Sequence, residues 1–174
     1  LPIVMRNTFR PAFAGTRIDA VGDPASAGPV KGLTLHPDLA IVSLEGAGLI
    51  GVPGTAERVF AALHAARVSV VMIPQGSSEH SICSVVRQND AQAARDAMVE
   101  AFARELAGGQ VQGVQQVPGI SVLAAVGDGM AGTPGVAARL FDALARARVN
   151  IRAIAQGASE RNISVAIAAE DQTR

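Results

Sequence analysis

Residues Gly46-Ala-Gly-Leu-Ile-Gly-Val-Pro-Gly54 return later in the chain as Gly127-Asp-Gly-Met-Ala-Gly-Thr-Pro-Gly135. Gly54 and Gly135 stand 81 positions apart, and that offset holds without a gap on either side. Aligning Leu39–Asp90 with Ile120–Asp171 gives 20 identities in 52 positions, a self-similarity long enough to govern the fold assignment. Each copy reads apolar run, glycine turn, helical pattern, apolar run, Gln-Gly-x-Ser-Glu, apolar run. The chain is two copies of one small α/β module.

Before the first copy, Leu1–Met5 and Thr16–Val21 have the composition of short strands, with Arg6–Gly15 a loop between them. Gly22–Gly32, with its prolines and glycines, reads as a linker, and Lys31–Leu35 extends the next strand. Leu39–Leu44 is a nearly unbroken apolar run, as a covered strand should be. After the glycine turn, Pro53 suits a first helical position, where its missing N–H costs nothing. Val59, Phe60 and Leu63, with Ala56 and Ala66, form the inward stripe of that helix, and Glu57 suits its first turn. Val68–Ile73 and Ser81–Val86 are strand-like runs joined by turn residues Gln75–Ser78, which predicts a hairpin. Asn89 or Asp90 is expected to cap a helix running to about Ala107, with Ala94, Met98, Ala101 and Phe102 inward and Gly108-Gly109 stopping it. Val111–Val117 then reads as an edge strand, and Pro118-Gly119 as a turn into the second copy. That copy predicts strand Ile120–Val126, helix Gly135–Arg148 with stripe Leu140, Phe141 and Leu144, and strands Asn150–Ala155 and Asn162–Ala168. The first copy thus spells βαββαβ and the second stops after βαββ. Leu1–Val21, whose strands lack a partner, is the expected donor of the missing piece.

Composition narrows the function. Hydrophobic content of 49% and a positive mean hydropathy describe a globular chain, with no apolar run near the roughly 20 residues a membrane helix needs. Fifteen basic and fifteen acidic residues cancel, without a basic run, which argues against electrostatic binding of nucleic acid or anionic membranes. A lone cysteine, Cys83, excludes an intrachain disulfide and a multi-cysteine metal site, and is compatible with a reducing cytoplasm. The opening Leu-Pro-Ile-Val-Met-Arg has no initiator methionine and no signal-peptide layout, as in a piece cut from something longer.

Gly46-x-Gly48-x-x-Gly51 and Gly127-x-Gly129-x-x-Gly132 each match the dinucleotide fingerprint between a strand and a helix. A dinucleotide unit also wants an acidic residue at the end of its second strand, where this chain has Gln75 and Gln156, and a helical crossover where this chain has a hairpin. A nucleotide-binding fragment of a dehydrogenase is therefore the lesser reading. What survives is a helix start with unpaired N–H groups, able to accept a carboxylate as readily as a phosphate. The same glycines also suit a plain strand-to-helix turn. Gln75 and Gln156, at one repeat position, can donate to and accept from a ligand hydroxyl, or simply occupy a hairpin end. Ser81 and Asn162 correspond at the opening of the third strand. His36, His64 and His80 have no spaced partners, Cys83 reads as a small core residue, and no catalytic constellation emerges.

The module pattern resembles an ACT domain, a small regulatory unit that usually binds amino acids. Pro2-Ile-Val-Met-Arg-Asn-Thr-Phe, Gly48-Leu-Ile-Gly-Val-Pro-Gly54, Gln75-Gly-Ser-Ser-Glu-His-Ser-Ile82 and Gln156-Gly-Ala-Ser-Glu-Arg-Asn-Ile163 resemble the regulatory region of bifunctional aspartokinase–homoserine dehydrogenases. The resemblance implies an α+β fold of two ferredoxin-like βαββαβ ACT modules, antiparallel sheets with helices on one face. It divides the chain into residues 1–38, a strand and linker completing the second module, residues 39–117 as the first module and residues 118–174 as the second. It implies a regulatory part without a catalytic site, feedback inhibition by L-threonine, a cytoplasmic location, and homo-oligomers formed through side-by-side modules. It implies no cofactor here, ATP/Mg and NAD(P) belonging to the parent enzyme. The implied effector contacts are Gly48, Gly51, Val52, Pro53, Gly54, Thr55, Ala56, Gln75, Ser81 and Ile82 in the first copy. In the second they are Gly132, Pro134, Gly135, Val136, Gln156, Asn162 and Ile163. Gly51 and Gly132 stand where several aspartokinases carry an acid for the ligand ammonium, and Asp128 lies nearby in the second copy only. An ACT platform for dimerisation without ligand is the remaining alternative.

Overall fold

The computed structural model describes residues 1–19, 28–74 and 80–173. Gln75 and its neighbours in the expected hairpin turn, and most of the expected linker, lie outside the described residues. Twelve regular elements follow in chain order: β1 (Ile3–Met5), β2 (Thr16–Ile18), β3 (Gly32–Glu45), α1 (Thr55–Ala65), β4 (Val70–Met72), β5 (Ser81–Arg87), α2 (Ala91–Ala101), α3 (Ala103–Ala107), β6 (Gly113–Val126), α4 (Val136–Arg146), β7 (Ile151–Gln156) and β8 (Asn162–Ala168). Short 3₁₀ turns at Ala47–Leu49, Gln88–Asp90, Asp128–Met130 and Ala169–Asp171 join them.

The larger sheet has six antiparallel strands in the order β4-β5-β3-β6-β8-β7, and its two central strands explain the repeat. Ile41–Glu45 of β3 pairs with Val117–Gly113 of β6, while Gly32–His36 of β3 pairs with Val126–Val122. Each long strand is therefore the last strand of one unit and the first of the other. The segment that completes the second unit is Gly32–His36, not Leu1–Val21; β1 and β2 pair with each other in a separate two-stranded sheet.

Two further expectations change. Residues 113–117 are not an edge strand, and Pro118-Gly119 does not turn the chain back; β6 continues through them between β3 and β8. The ladder shifts register between His36 and Ile41, opposite Pro118, so the absent proline N–H falls where no strand pair needs it. Asp38 (φ 59°) and Gly119 (φ 67°), equivalent in the repeat, carry the kink, and the Gly119 N–H donates to Gln88 Oε1 at 2.9 Å.

Alternation along β3 sends Ala40, Val42 and Leu44 to one face, where they meet Val59 and Leu63 of α1 and Ala94 and Met98 of α2. In the second unit, Val136, Leu140, Phe141 and Leu144 of α4 pack on Ile163, Val165 and Ile167 of β8. The opposite face holds Leu39, Ile41 and Val85 of the first unit with Ile120, Val122 and Ala166 of the second. Pro74, beside one edge of the sheet, and Ile151–Ile154 of β7, at the other edge, line one cavity of about 410 Å³. The sheet therefore curls, bringing its ends together with the helices outside.

Helix boundaries differ from expectation in three places. Pro53 and Gly54 precede α1, and Gly54, at φ 84°, is the capping residue; Gly135 does the same for α4 at φ 84°. A left-handed residue here costs glycine little and any other residue about 1–2 kcal/mol. Ala56, expected inward, is exposed, and Thr55 is buried instead, donating from Oγ1 to the Val52 carbonyl at 2.9 Å. Asp90 caps α2 by position, without a side-chain hydrogen bond. The expected long helix is broken at Phe102, because Arg58 Nη2 takes the Ala101 carbonyl at 2.7 Å and the guanidinium lies 4.2 Å from the Phe102 ring.

Candidate functional site

A strand that ends in glycine, turns and enters a helix leaves the first helical N–H groups without intrahelical partners. In both units this happens beside a surface concavity. At the start of α1 it measures about 320 Å³ and is lined by Leu49, Gly51, Val52, Pro53, Gly54, Thr55, Ala56, Ser81 and Ile82. At the start of α4 it measures about 380 Å³, and its wall includes Met130, Gly132, Thr133, Pro134, Gly135, Val136, Ala137, Gln156, Glu160 and Ile163. The two occupy the same place in the repeat. No side chain caps either helix.

The structure thus brings most of the sequence candidates to these two walls. Three stand apart. Gly48 faces the loop before β6: its N–H donates to the Gln110 carbonyl at 3.0 Å, and a Cβ there would meet that oxygen at 2.6 Å. Asn162 turns its side chain toward Ser164, with Nδ2 3.4 Å from Oγ. Gln75 lies outside the described residues. Gly46 and Gly127, first in each glycine motif, are also places of close approach. A Cβ on Gly46 would meet Gln110 O and Val111 Cα, both at 2.7 Å, and one on Gly127 would meet the backbone of Pro29–Lys31. Pro29–Lys31 and Gln110–Gln112 are themselves equivalent in the repeat, and each hydrogen-bonds the strand it borders: Lys31 N–H to Val126 O at 2.8 Å, Gln112 N–H to Glu45 O at 2.7 Å. The front of the glycine motif packs the chain, and its rear borders the cavity.

The two cavities differ in charge. The first turn of α1 carries Glu57, which opposes an incoming anion, whereas that of α4 carries no acidic residue and has Arg139 near Gly135. Gln156, last residue of β7, adds an amide to the second wall, and Ile163 pairs with it across the strands. Asp128, the acid expected near the ligand, pairs instead with Arg161 at 3.1 Å and is absent from the wall. Sequence reasoning included Thr133 within the turn Gly132–Ala137 but missed Leu49, Met130 and Glu160. Glu160 had a signal, since Gln-Gly-x-Ser-Glu recurs whole in both copies.

Chemistry of other kinds finds no support among the described residues: no group of three or more His, Cys, Asp or Glu could hold a metal. Cys83 is half-buried, and burial pushes its thiol up, away from the thiolate a nucleophile needs. β4 and β5 pair antiparallel, where a dinucleotide unit has parallel strands. No described helix is long and apolar enough to cross a membrane.

Comparison with known proteins gives the same outline. A family profile described as "ACT domain" matches residues 42–102 and 123–174. The bifunctional aspartokinase/homoserine dehydrogenase 1 of Arabidopsis thaliana, a chloroplastic protein, is 46% identical over 179 residues, covering all of this chain and 20% of the relative. The chain thus spans about a fifth of the curated relatives it matches most strongly. Among solved structures, Clostridium acetobutylicum aspartate kinase superposes with a TM-score of 0.81 at 27% identity, over 98% of this chain and 39% of that one. The regulatory subunit of aspartate kinase from Thermus flavus matches at 35% identity and a TM-score of 0.68, over 82% of this chain and 91% of that one.

Proposed function

The chain belongs to the ACT-domain family, as a regulatory region of the aspartokinase and aspartokinase/homoserine dehydrogenase type, and from that premise we propose that it senses free L-threonine. The observation that carries the proposal is the second cavity, where an uncapped helix start and the Gln156 amide share one wall. The N–H groups opening α4 hold the ligand carboxylate, the backbone at the start of β8 near Ile163 faces the ammonium, and Gln156 reads the side-chain hydroxyl. Occupancy favours one arrangement of modules and subunits, and this reports to attached kinase and dehydrogenase domains as feedback inhibition. Such coupling requires unequal ligand affinity for two states. Side-by-side pairing of modules into homo-oligomers suits the exposed apolar Val71, Ile73 and Ile154 at the two sheet ends. A reducing cytoplasm suits the single cysteine.

Calorimetric titration of the 174-residue chain tests this. L-Threonine should bind, and Gln156→Ala should weaken it roughly two- to ten-fold, since a hydrogen bond to the exposed Gln156 amide contributes about 0.5–1.5 kcal/mol. 2-Aminobutyrate, which lacks the hydroxyl, should bind the unaltered chain and the variant alike. If no proteinogenic amino acid binds or moves the unfolding midpoint, the proposal fails.

A further inference from the structure

We propose that Glu160 is the counter-charge for the ligand ammonium, so that the second cavity selects a zwitterion rather than any small anion. This rests on reading that cavity as an amino-acid site. Helix start and amide account for a carboxylate and a hydroxyl, which leaves the ligand's positive end facing neutral backbone. Among the described residues, Glu160 is the one ionisable side chain on the wall of this cavity.

Local structure delivers it there. The Glu160 N–H donates to the Gly157 carbonyl at 2.9 Å, closing a tight turn after β7, and Glu160 itself adopts φ 55°. Residues other than glycine adopt that backbone reluctantly. The Glu160 Oε2 accepts the Gly132 N–H at 2.7 Å, a contact spanning 28 residues between the turn before α4 and the turn after β7. A carboxylate has about four acceptor positions, and this bond uses one, so the group is held in place while retaining capacity for a second donor. Asp128 does not compete for the role, being paired with Arg161. The cavity wall therefore carries both signs, the N–H groups opening α4 and a carboxylate tethered to the turn that precedes them. The carboxylate and ammonium of an α-amino acid, both attached to Cα, match that pairing of signs. A charge-assisted bond at each end is stronger than a neutral one.

Calorimetry on the unaltered chain and on Glu160→Gln decides the matter, with two probes: L-threonine, and 2,3-dihydroxybutanoate, which keeps the carboxylate and hydroxyl but lacks the ammonium. Glutamine can still accept the Gly132 N–H, so the turn is kept and only the charge is lost. The expected result is a roughly ten- to hundred-fold loss of threonine affinity, little change for dihydroxybutanoate, and an unmoved unfolding midpoint without ligand. Unchanged threonine affinity, or an equal loss for both probes, would overturn the role. Tighter threonine binding would also overturn it, by showing that Glu160 occupies the seat of the ligand carboxylate. If the unaltered chain binds no amino acid, the parent reading and this one fall together; undiminished binding by the variant removes this one alone.

Discussion

Gly127→Ala separates the packing role of the glycine motif from its ligand role. Gly127 has φ 175° and ψ 139°, ordinary extended geometry, so alanine there suffers no backbone strain. The cost is steric. A Cβ would overlap the Pro29 carbonyl and come within 2.9 Å of Lys31 N and 3.0 Å of Val30 Cα, all backbone atoms that cannot swing aside. Overpacking of this kind costs about 1–3 kcal/mol. Pushing the segment outward also stretches the 2.8 Å bond from Lys31 N–H to Val126 O, worth about 0.5–1.5 kcal/mol. Together these predict a loss of about 2–4 kcal/mol, or roughly 5–15 °C in unfolding midpoint for a chain of this size. Urea denaturation measures it, with Gly32→Ala as control, because a Cβ at Gly32 meets nothing within 4 Å. The control should stay within about 0.5 kcal/mol of the unaltered chain. Equal stability of the two variants would refute the close approach and return Gly127 to the ligand-binding reading.

Arg67 (φ 57°) and Arg148 (φ 56°) end α1 and α4 in left-handed backbone at one repeat position, so Arg148→Gly should stabilise by about 0.5–1 kcal/mol, read as a higher urea midpoint. A lower midpoint would refute the strain. The hydrogen bond from Arg58 holds the Glu105 carboxyl below the usual carboxylate range. A carboxyl lowered by folding contributes stability that is present above its unfolded value and lost as pH falls through its folded value. Urea midpoints should therefore fall on acidification from about pH 4.5, the ordinary glutamate value, and Arg58→Leu should flatten that decline. Parallel curves for the two proteins would discount the pair.

The elements were legible where the signal is local. Apolar periodicity located α1 and α4, and the repeat located their equivalents. What stayed hidden depends on segments distant in the chain. Gly46 and Gly48 follow a ligand-binding pattern, but their neighbours are residues 110–112, which nothing near position 46 announces. Pro118-Gly119 has turn composition, and only the register slip opposite it lets β6 continue. The bend at Phe102 comes from Arg58, some forty residues earlier in the sequence. In the site, glycine and glutamine drew notice as types, whereas Glu160 depends on a turn geometry that composition does not encode.

The loan of strands between the units has a consequence for how such a protein could be taken apart. Tandem duplications usually yield beads that can be expressed, shuffled or deleted singly. Here a cut between residues 117 and 118 would leave one fragment with Gly32–His36 stranded beside nothing and the other without its outermost ladder. The second half is topologically indebted to the first, which keeps all four of its own strands, so only the first could be detached with its strands complete.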